Sequence, residues 1–219
     1  MNKGKIIVLE GLDGCGKSTQ LGLLYDSLSA RKSVRMISFP NYESSTGRVV
    51  SDYLAGRIPC DGVNGAYAAS SFYACDRYAS YAADWGRDYC DGKIILSGRY
   101  ATSNAIYQMT KLPENEWDGF LQWLWDLEYK RLGLPEPDRV VFLDMPVSIS
   151  QRLLSARYGG NEGKKDIHES NIEFQEACRR SALYAAERCG WRIIGCAENG
   201  EPLSIKEISL RIIRETEDI

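Results

Sequence analysis

The stretch GLDGCGKST at 11–19 places Gly11, Gly16, Lys17 and Ser18 in the spacing GxxxxGK[ST]. Glycines let the backbone curl until successive N–H groups point inward at phosphate oxygens. Lys17 adds a cation, Ser18 offers a hydroxyl to Mg²⁺, and a helix opening there aims its positive end at the anion. The pattern is that of a nucleoside-triphosphate site. Such loops serve GTPases, motor ATPases and small-molecule kinases alike, so the second substrate decides between them. No NKxD guanine signature follows a later strand and no basic stripe suits a helicase, which leaves a kinase.

Two further groups could build the second site. Tyr73 and Arg77 lie four apart within a helical pattern and so share a face, with Ala74 small between them. A ring beside a guanidinium fits a flat heterocycle, the ring stacking on it and the arginine donating to an exocyclic oxygen. The alternative is an aromatic core helix with a solvent-facing arginine, since Tyr67, Phe72, Tyr78 and Tyr81 crowd the same stretch. The second group is SGRYATSNAIYQ at 97–108. There Arg99 follows an apolar run and could grip an acceptor phosphate through both arms of its fork. Asn104 and Tyr107 lie one turn on, an amide that both accepts and donates and a ring that could wall one edge of a sugar. Each could equally be a cap or a packing residue.

The elements that must position these groups are legible as short β-branched runs: KIIVLE (5–10), VRMISF (34–39), KIIL (93–96), RVVFLD (139–144) and WRIIGC (191–196). They are continuous rather than alternating, as strands covered on both faces are. Helical patterns lie between them at about 17–31, 65–90, 116–131, 147–157, 169–189 and 203–217. The alternation predicts an α/β fold of the P-loop NTPase type: a five-stranded parallel sheet with helices on both faces, in three layers. Ligands in such sheets sit beyond the carboxyl ends of the strands, so Gly11, Phe39 and Ser97 should face one crevice.

The 219 residues suffice for one substantial core, and no linker or low-complexity stretch divides them, so 1–219 reads as a single domain. With 27 basic and 30 acidic residues the net charge is −3, which argues against a nucleic-acid partner. No apolar run approaches the roughly 20 residues of a membrane span, and the first strand pattern begins too early for a signal peptide, so a cytoplasmic protein is expected. Seven cysteines, odd in number and without a CxxC pair, fit reduced thiols.

Across nearly its whole length the chain resembles the thymidylate kinase family. The resemblance rests on GLDGCGKST, on FPNY at 39–42, on YACDR at 73–77 (FAADR in the family's usual form), on GRYATSNAIYQ at 98–108 (usually DRY) and on DIHE at 166–169. It implies transfer of the γ-phosphate of ATP to dTMP with Mg²⁺, by a homodimer packed through long helices. Gly11, Leu12, Asp13, Gly14, Cys15, Gly16, Lys17, Ser18 and Thr19 would hold ATP, with Ser18 on the metal. Tyr73 would stack on thymine with Phe39 shaping the pocket, Arg77 would donate to the base O4, and Asn104 would meet its N3 edge. Tyr107 would lie against the sugar C2′, and Arg99 and Tyr42 would hold the acceptor phosphate. Asp13 would reach the 3′-hydroxyl or a metal-bound water, and Asp166 and Glu169 match acidic positions over the sugar.

Position 98 departs from the family. Its usual acid, credited with the Mg²⁺ and water network, is Gly98 here, which predicts weaker or rearranged metal binding with Asp13 or Glu10 assisting. A phosphomonoester, whose second pKa is near ~6, needs no base to ionise it, so the loss need not abolish turnover. Position 14 is glycine where some members carry an arginine, which places the transition-state cation on a lid at about 155–169, with Lys17, Arg99 and Arg157 as the catalytic set. Lys164 and Lys165 are further candidates, and His168 reads as a structural or sugar-edge contact. Asp144 reads as a cap for the helix after it. The rival readings are a kinase for another pyrimidine nucleotide or a deoxynucleoside, and a catalytically silent nucleotide-binding homologue.

Overall fold

The computed structural model describes residues 3–157 and 171–219, Arg157 by its backbone alone. Five parallel strands form the main sheet in the order β2-β3-β1-β4-β5: β1 Lys5–Gly11, β2 Val34–Ile37, β3 Ile94–Ser97, β4 Arg139–Asp144 and β5 Arg192–Gly195. Side chains of a strand alternate between faces, and in the central strands β1, β3 and β4 both faces are dry. Ile6 and Val8 pack with Ile95, Phe142, Trp85 and Phe120 on one side. Ile7 and Leu9 pack with Leu24, Leu96, Val141, Ile194 and Ile212 on the other. Double burial is why β1, β3 and β4 read as unbroken apolar runs, whereas the edge strands β2 and β5 bury only Ile37 and Ile194.

Register fixes the crevice. β1 pairs with β3 up to Val8↔Ser97 and with β4 up to Gly11↔Leu143, so the chain leaves all three strands at one edge. Helix α1, Lys17–Ser29, returns from that edge directly after Gly11. Among the described residues the other α-helices are α2 Ser45–Leu54, α3 Gly62–Ser80, α4 Gly86–Cys90, α5 Thr102–Tyr107, α6 Trp117–Trp125, α7 Val147–Arg157, α8 Ile172–Cys189 and α9 Ile205–Arg214.

The helix expected over 65–90 is present but interrupted: α3 widens into a π turn at Tyr81–Trp85 before α4. The one expected over 116–131 does the same, α6 running into a π segment at Asp126–Arg131 that carries the buried Glu128. Helix α2 was not anticipated. Its cap is Ser44, whose hydroxyl accepts from Gly47 N at 2.8 Å. A two-stranded hairpin, β6 Ala197–Glu198 with β7 Glu201–Pro202, was also missed, although its turn is Asn199-Gly200 with φ of 51° and 78°. Asn-Gly is the strongest short hairpin signal, since both positions need left-handed backbone. Helix α9 opens on a capping box between Ser204 and Glu207.

Candidate active site

The phosphate loop is built by backbone. Gly14 and Gly16 take φ of 79° and 83°, and Gly16 caps α1 with no side chain of its own. A Cβ at Gly14 would also stand 2.7 Å from Leu154 Cγ and from Ser150 O, both on α7. A side chain at position 14 would be strained by this backbone and would require α7 to shift. Lys17 Nζ donates to Gly11 O at 3.0 Å, closing the loop on itself. Burial and the neighbouring Arg99 guanidinium pull the Lys17 pKa below the usual lysine value, with Glu10 partly opposing them. From the loop a cleft of about 770 Å³ extends between Leu153 and Leu154 of α7, Met145 and the segment Pro202–Ile205. Gln20 Nε2 donates to Ile205 O at 2.9 Å and so joins α1 to the opening of α9 beside this cleft.

Arg99 leaves the end of β3 and meets the loop. Its Nη2 lies 3.1 Å from Asp13 Oδ1, and its guanidinium stands over the Tyr107 ring, 4.9 Å from the centroid. Tyr107, and after it the Asp13 and Glu10 carboxylates, hold its pKa above the ordinary arginine value against the cost of burial. The cation assigned to the acceptor thus sits at the rim of the donor loop, with Tyr107 beneath it.

Around this pair the structure gathers residues from separate elements. Asn104 is buried on α5, its Nδ2 donating to Ser70 O of α3 at 3.3 Å. Tyr73 lies near Tyr42, Arg99 and Arg77, and burial raises its phenol pKa well above the usual value. Phe39 is buried and packs against Tyr100 at 6.2 Å, while Tyr42 is 56 % exposed at the mouth. A residue the sequence reading missed, Tyr53 of α2, meets Tyr73 edge to face at 6.3 Å. It also donates to Gln108 Oε1 at 3.2 Å and accepts from Lys111 Nζ at 2.9 Å. Its signal was weak because α2 itself carries no long periodic pattern.

Asp76, the acid inside YACDR, is the anchor of this pocket. Its Oδ2 accepts from Asn41 N at 2.8 Å, and its Oδ1 accepts from Ser44 Oγ at 2.9 Å and Thr46 Oγ1 at 3.0 Å. One buried carboxylate thereby fastens the FPNY segment and the start of α2 onto α3, which sets where Phe39 and Tyr42 stand.

Arg77 is not the solvent-facing arginine that one reading allowed. It is 1 % exposed and forms a two-armed pair with Glu128, Nε to Oε2 at 3.0 Å and Nη2 to Oε1. Its Nη1 stands 3.5 Å from Tyr100 O. Since α3 packs inward, the charge needs an internal counter-ion, and the π segment after α6 supplies it. Asp144 also differs from expectation. Instead of capping α7 it accepts from Arg179 of α8, at 2.6 Å from Nε and 2.9 Å from Nη2. Arg157 ends α7, its side chain outside the description; Lys164, Lys165, Asp166, His168 and Glu169 lie outside the described residues.

A family model described as thymidylate kinase matches residues 9–206. The thymidylate kinase of Mycobacterium tuberculosis is 31% identical over 199 residues, covering 87% of this chain and 91% of that protein. That of Caenorhabditis elegans is 31% identical over 184 residues, 78% of this chain and 74% of that protein. A solved thymidylate kinase structure from Candida albicans matches with a TM-score of 0.70 at 22% identity, over 99% of this chain and 93% of that one, a likeness of fold. A matched span that takes in the phosphate loop, the arginine at its rim and the pocket anchored by Asp76 means that the chain belongs to the thymidylate kinase family.

Proposed function

We infer that this protein transfers the γ-phosphate of ATP to dTMP, giving dTDP. The observation that carries the reading is the contact between Arg99 and Asp13, which sets an acceptor-phosphate cation against the donor loop. Phosphoryl transfer asks a protein mainly for in-line positioning and charge neutralisation, and that is what two facing anion pockets provide. The acceptor oxygen of dTMP is ionised at neutral pH, its second pKa being near ~6, so no general base is required.

In this reading the thymine lies against Tyr73 with Phe39 behind it. Asn104 spends its amide nitrogen on Ser70, which leaves the amide oxygen to accept from the base N3–H. Arg77 is taken up by Glu128 and, through Nη1, by Tyr100 O, so a contact with O4 would need the second hydrogen of Nη1. Tyr107 backs the sugar edge, Arg99 and Tyr42 take the acceptor phosphate, and Asp13 faces the deoxyribose. Lys17 bridges the donor phosphates. Arg157 is the lid cation of this proposal, and Arg157→Ala should lower kcat while leaving the dTMP KM in place.

Mg²⁺ fits the site as the ATP partner. Among the described residues no three His, Cys, Asp or Glu side chains gather to chelate an ion. An ion carried by phosphates and waters needs only a hydroxyl such as that of Ser18 and a nearby acid to orient its waters, and Glu10 keeps an unpartnered buried oxygen. Bound there, the metal would neutralise charge on the transferring phosphate.

A homodimer is proposed through α3, which exposes Val63 near its start and Tyr78 near its end; sedimentation of the purified chain tests it. A reducing, cytoplasmic setting is proposed from the seven free thiols. Steady-state turnover with ATP and dTMP, set beside dUMP, dCMP, UMP and thymidine, tests the activity: dTMP should be preferred, and thymidine should not turn over. Gly98 favours one rival, a silent homologue, and binding of both nucleotides without turnover would establish it instead.

A further inference from the structure

We propose that Glu10 supplies the acidic group that Gly98 lacks, accepting a hydrogen bond from water on the divalent ion that accompanies the bound nucleotide. The inference rests on the kinase reading above. Glu10 ends the apolar run of β1 and is 0 % exposed. Its Oε1 accepts from Thr102 Oγ1 and from Ser103 Oγ, both at 2.7 Å, so it clamps the first turn of α5, the helix that carries Asn104 and Tyr107. Its Oε2 has no hydrogen-bond partner among the described residues.

A buried carboxylate oxygen left unmatched is costly, and native structures keep such atoms where a ligand completes them. Two cations sense Glu10, Lys17 and Arg99, yet each spends a donor elsewhere, on Gly11 O and on Asp13. Electrostatic contact with both cations puts the Glu10 carboxylate between the donor loop and the acceptor arginine, and in the proposal its unmatched oxygen meets a water of the nucleotide's metal there. Glycine at 98 is not demanded by the fold. Its φ lies outside the left-handed region, and a Cβ there would meet only Leu21 Cδ2, the end of a flexible side chain, at 3.1 Å. The strand end can thus do without its acid because the neighbouring strand already carries one.

The test is a titration of Mn²⁺ into the protein saturated with ADP and dTMP, free Mn²⁺ being read by electron spin resonance. Glu10→Gln keeps both hydroxyl contacts but removes the charge, and should weaken Mn²⁺ binding about 10- to 100-fold while leaving metal-free ADP affinity and Tm unchanged. Adding Gly98→Asp to that variant should bring Mn²⁺ affinity back to within about threefold of the native chain, a rescue that no purely structural role of Glu10 explains. Gly98→Asp alone should change it by less than about threefold. Native-like Mn²⁺ affinity in Glu10→Gln, or failure of Gly98→Asp to restore it, overturns the proposal. Should Glu10→Gln fail to fold, the single Gly98→Asp variant decides: a gain of about tenfold or more means the acidic position was vacant. Failure of the native chain to bind dTMP would sink the kinase reading itself, a separate outcome read in the same samples.

Discussion

The proposed donor loop takes nine residues from one stretch, 11–19, and in this reading meets phosphate chiefly with backbone N–H groups and Lys17. The acceptor pocket draws single side chains from the 39–46 segment, α2, α3, the end of β3 and α5. The first is a local conformation that two left-handed glycines permit. The second exists only while buried partners hold its parts together: Asp76 for the FPNY segment, Glu128 for Arg77, Glu10 for α5. The two regions should therefore fail differently. Damage to the loop should strike donor binding directly, whereas the acceptor pocket should be open to damage from residues that never touch a nucleotide.

The largest effect is expected where the regions meet. Arg99→Ala should lower kcat/KM for dTMP about 10²- to 10³-fold, the scale of one lost charge-stabilising donor, with the ATP KM nearly unmoved. A matching rise in the ATP KM would mean that Arg99 serves the donor. Next is the buried pair. Glu128→Ala strands the Arg77 guanidinium and should cost about 3–5 kcal/mol, seen as a fall in Tm on the order of 10 °C. An unchanged Tm would show that Arg77 finds another partner. Asp76→Ala removes three hydrogen bonds from the 41–46 segment. It should raise the dTMP KM roughly tenfold and leave that for ATP alone, at about one kcal/mol per lost contact offset by local relaxation. The smallest concerns the loop. Because burial and Arg99 hold the Lys17 pKa low and a triphosphate would raise it, ATP binding at alkaline pH should draw in a proton. Calorimetry in buffers of different ionisation heat reads this uptake, and Lys17→Met should abolish it.

The same contrast explains which features were legible from residues alone. The three central strands were readable because double burial leaves unbroken apolar runs, the edge strands β2 and β5 because their short β-branched runs recur between helices, and the donor loop because its residues are contiguous. Tyr73, Arg99, Asn104 and Tyr107 could be named as a set, but not what holds them. Arg77 illustrates the limit: its type and spacing allowed a base contact or a solvent-facing charge, and no local pattern pointed to Glu128, 51 positions away. The π segment that turns Glu128 inward, and helix α2 with Tyr53, have no periodic signature strong enough to read.

By itself, then, the order of residues determined the parallel α/β frame, the phosphate loop and the set of side chains offered to a second nucleotide, because those depend on local conformation and on the period of apolar residues. Tertiary structure alone decided the partners: Glu10 reaching from β1 to α5, Asp76 reaching the FPNY segment, Arg77 sealed against Glu128, Asp144 taken by Arg179. The physical reason is that a buried charge must be matched by whichever group the packed elements bring within hydrogen-bond reach, and that distance is set by the sheet and its layers rather than by separation along the chain.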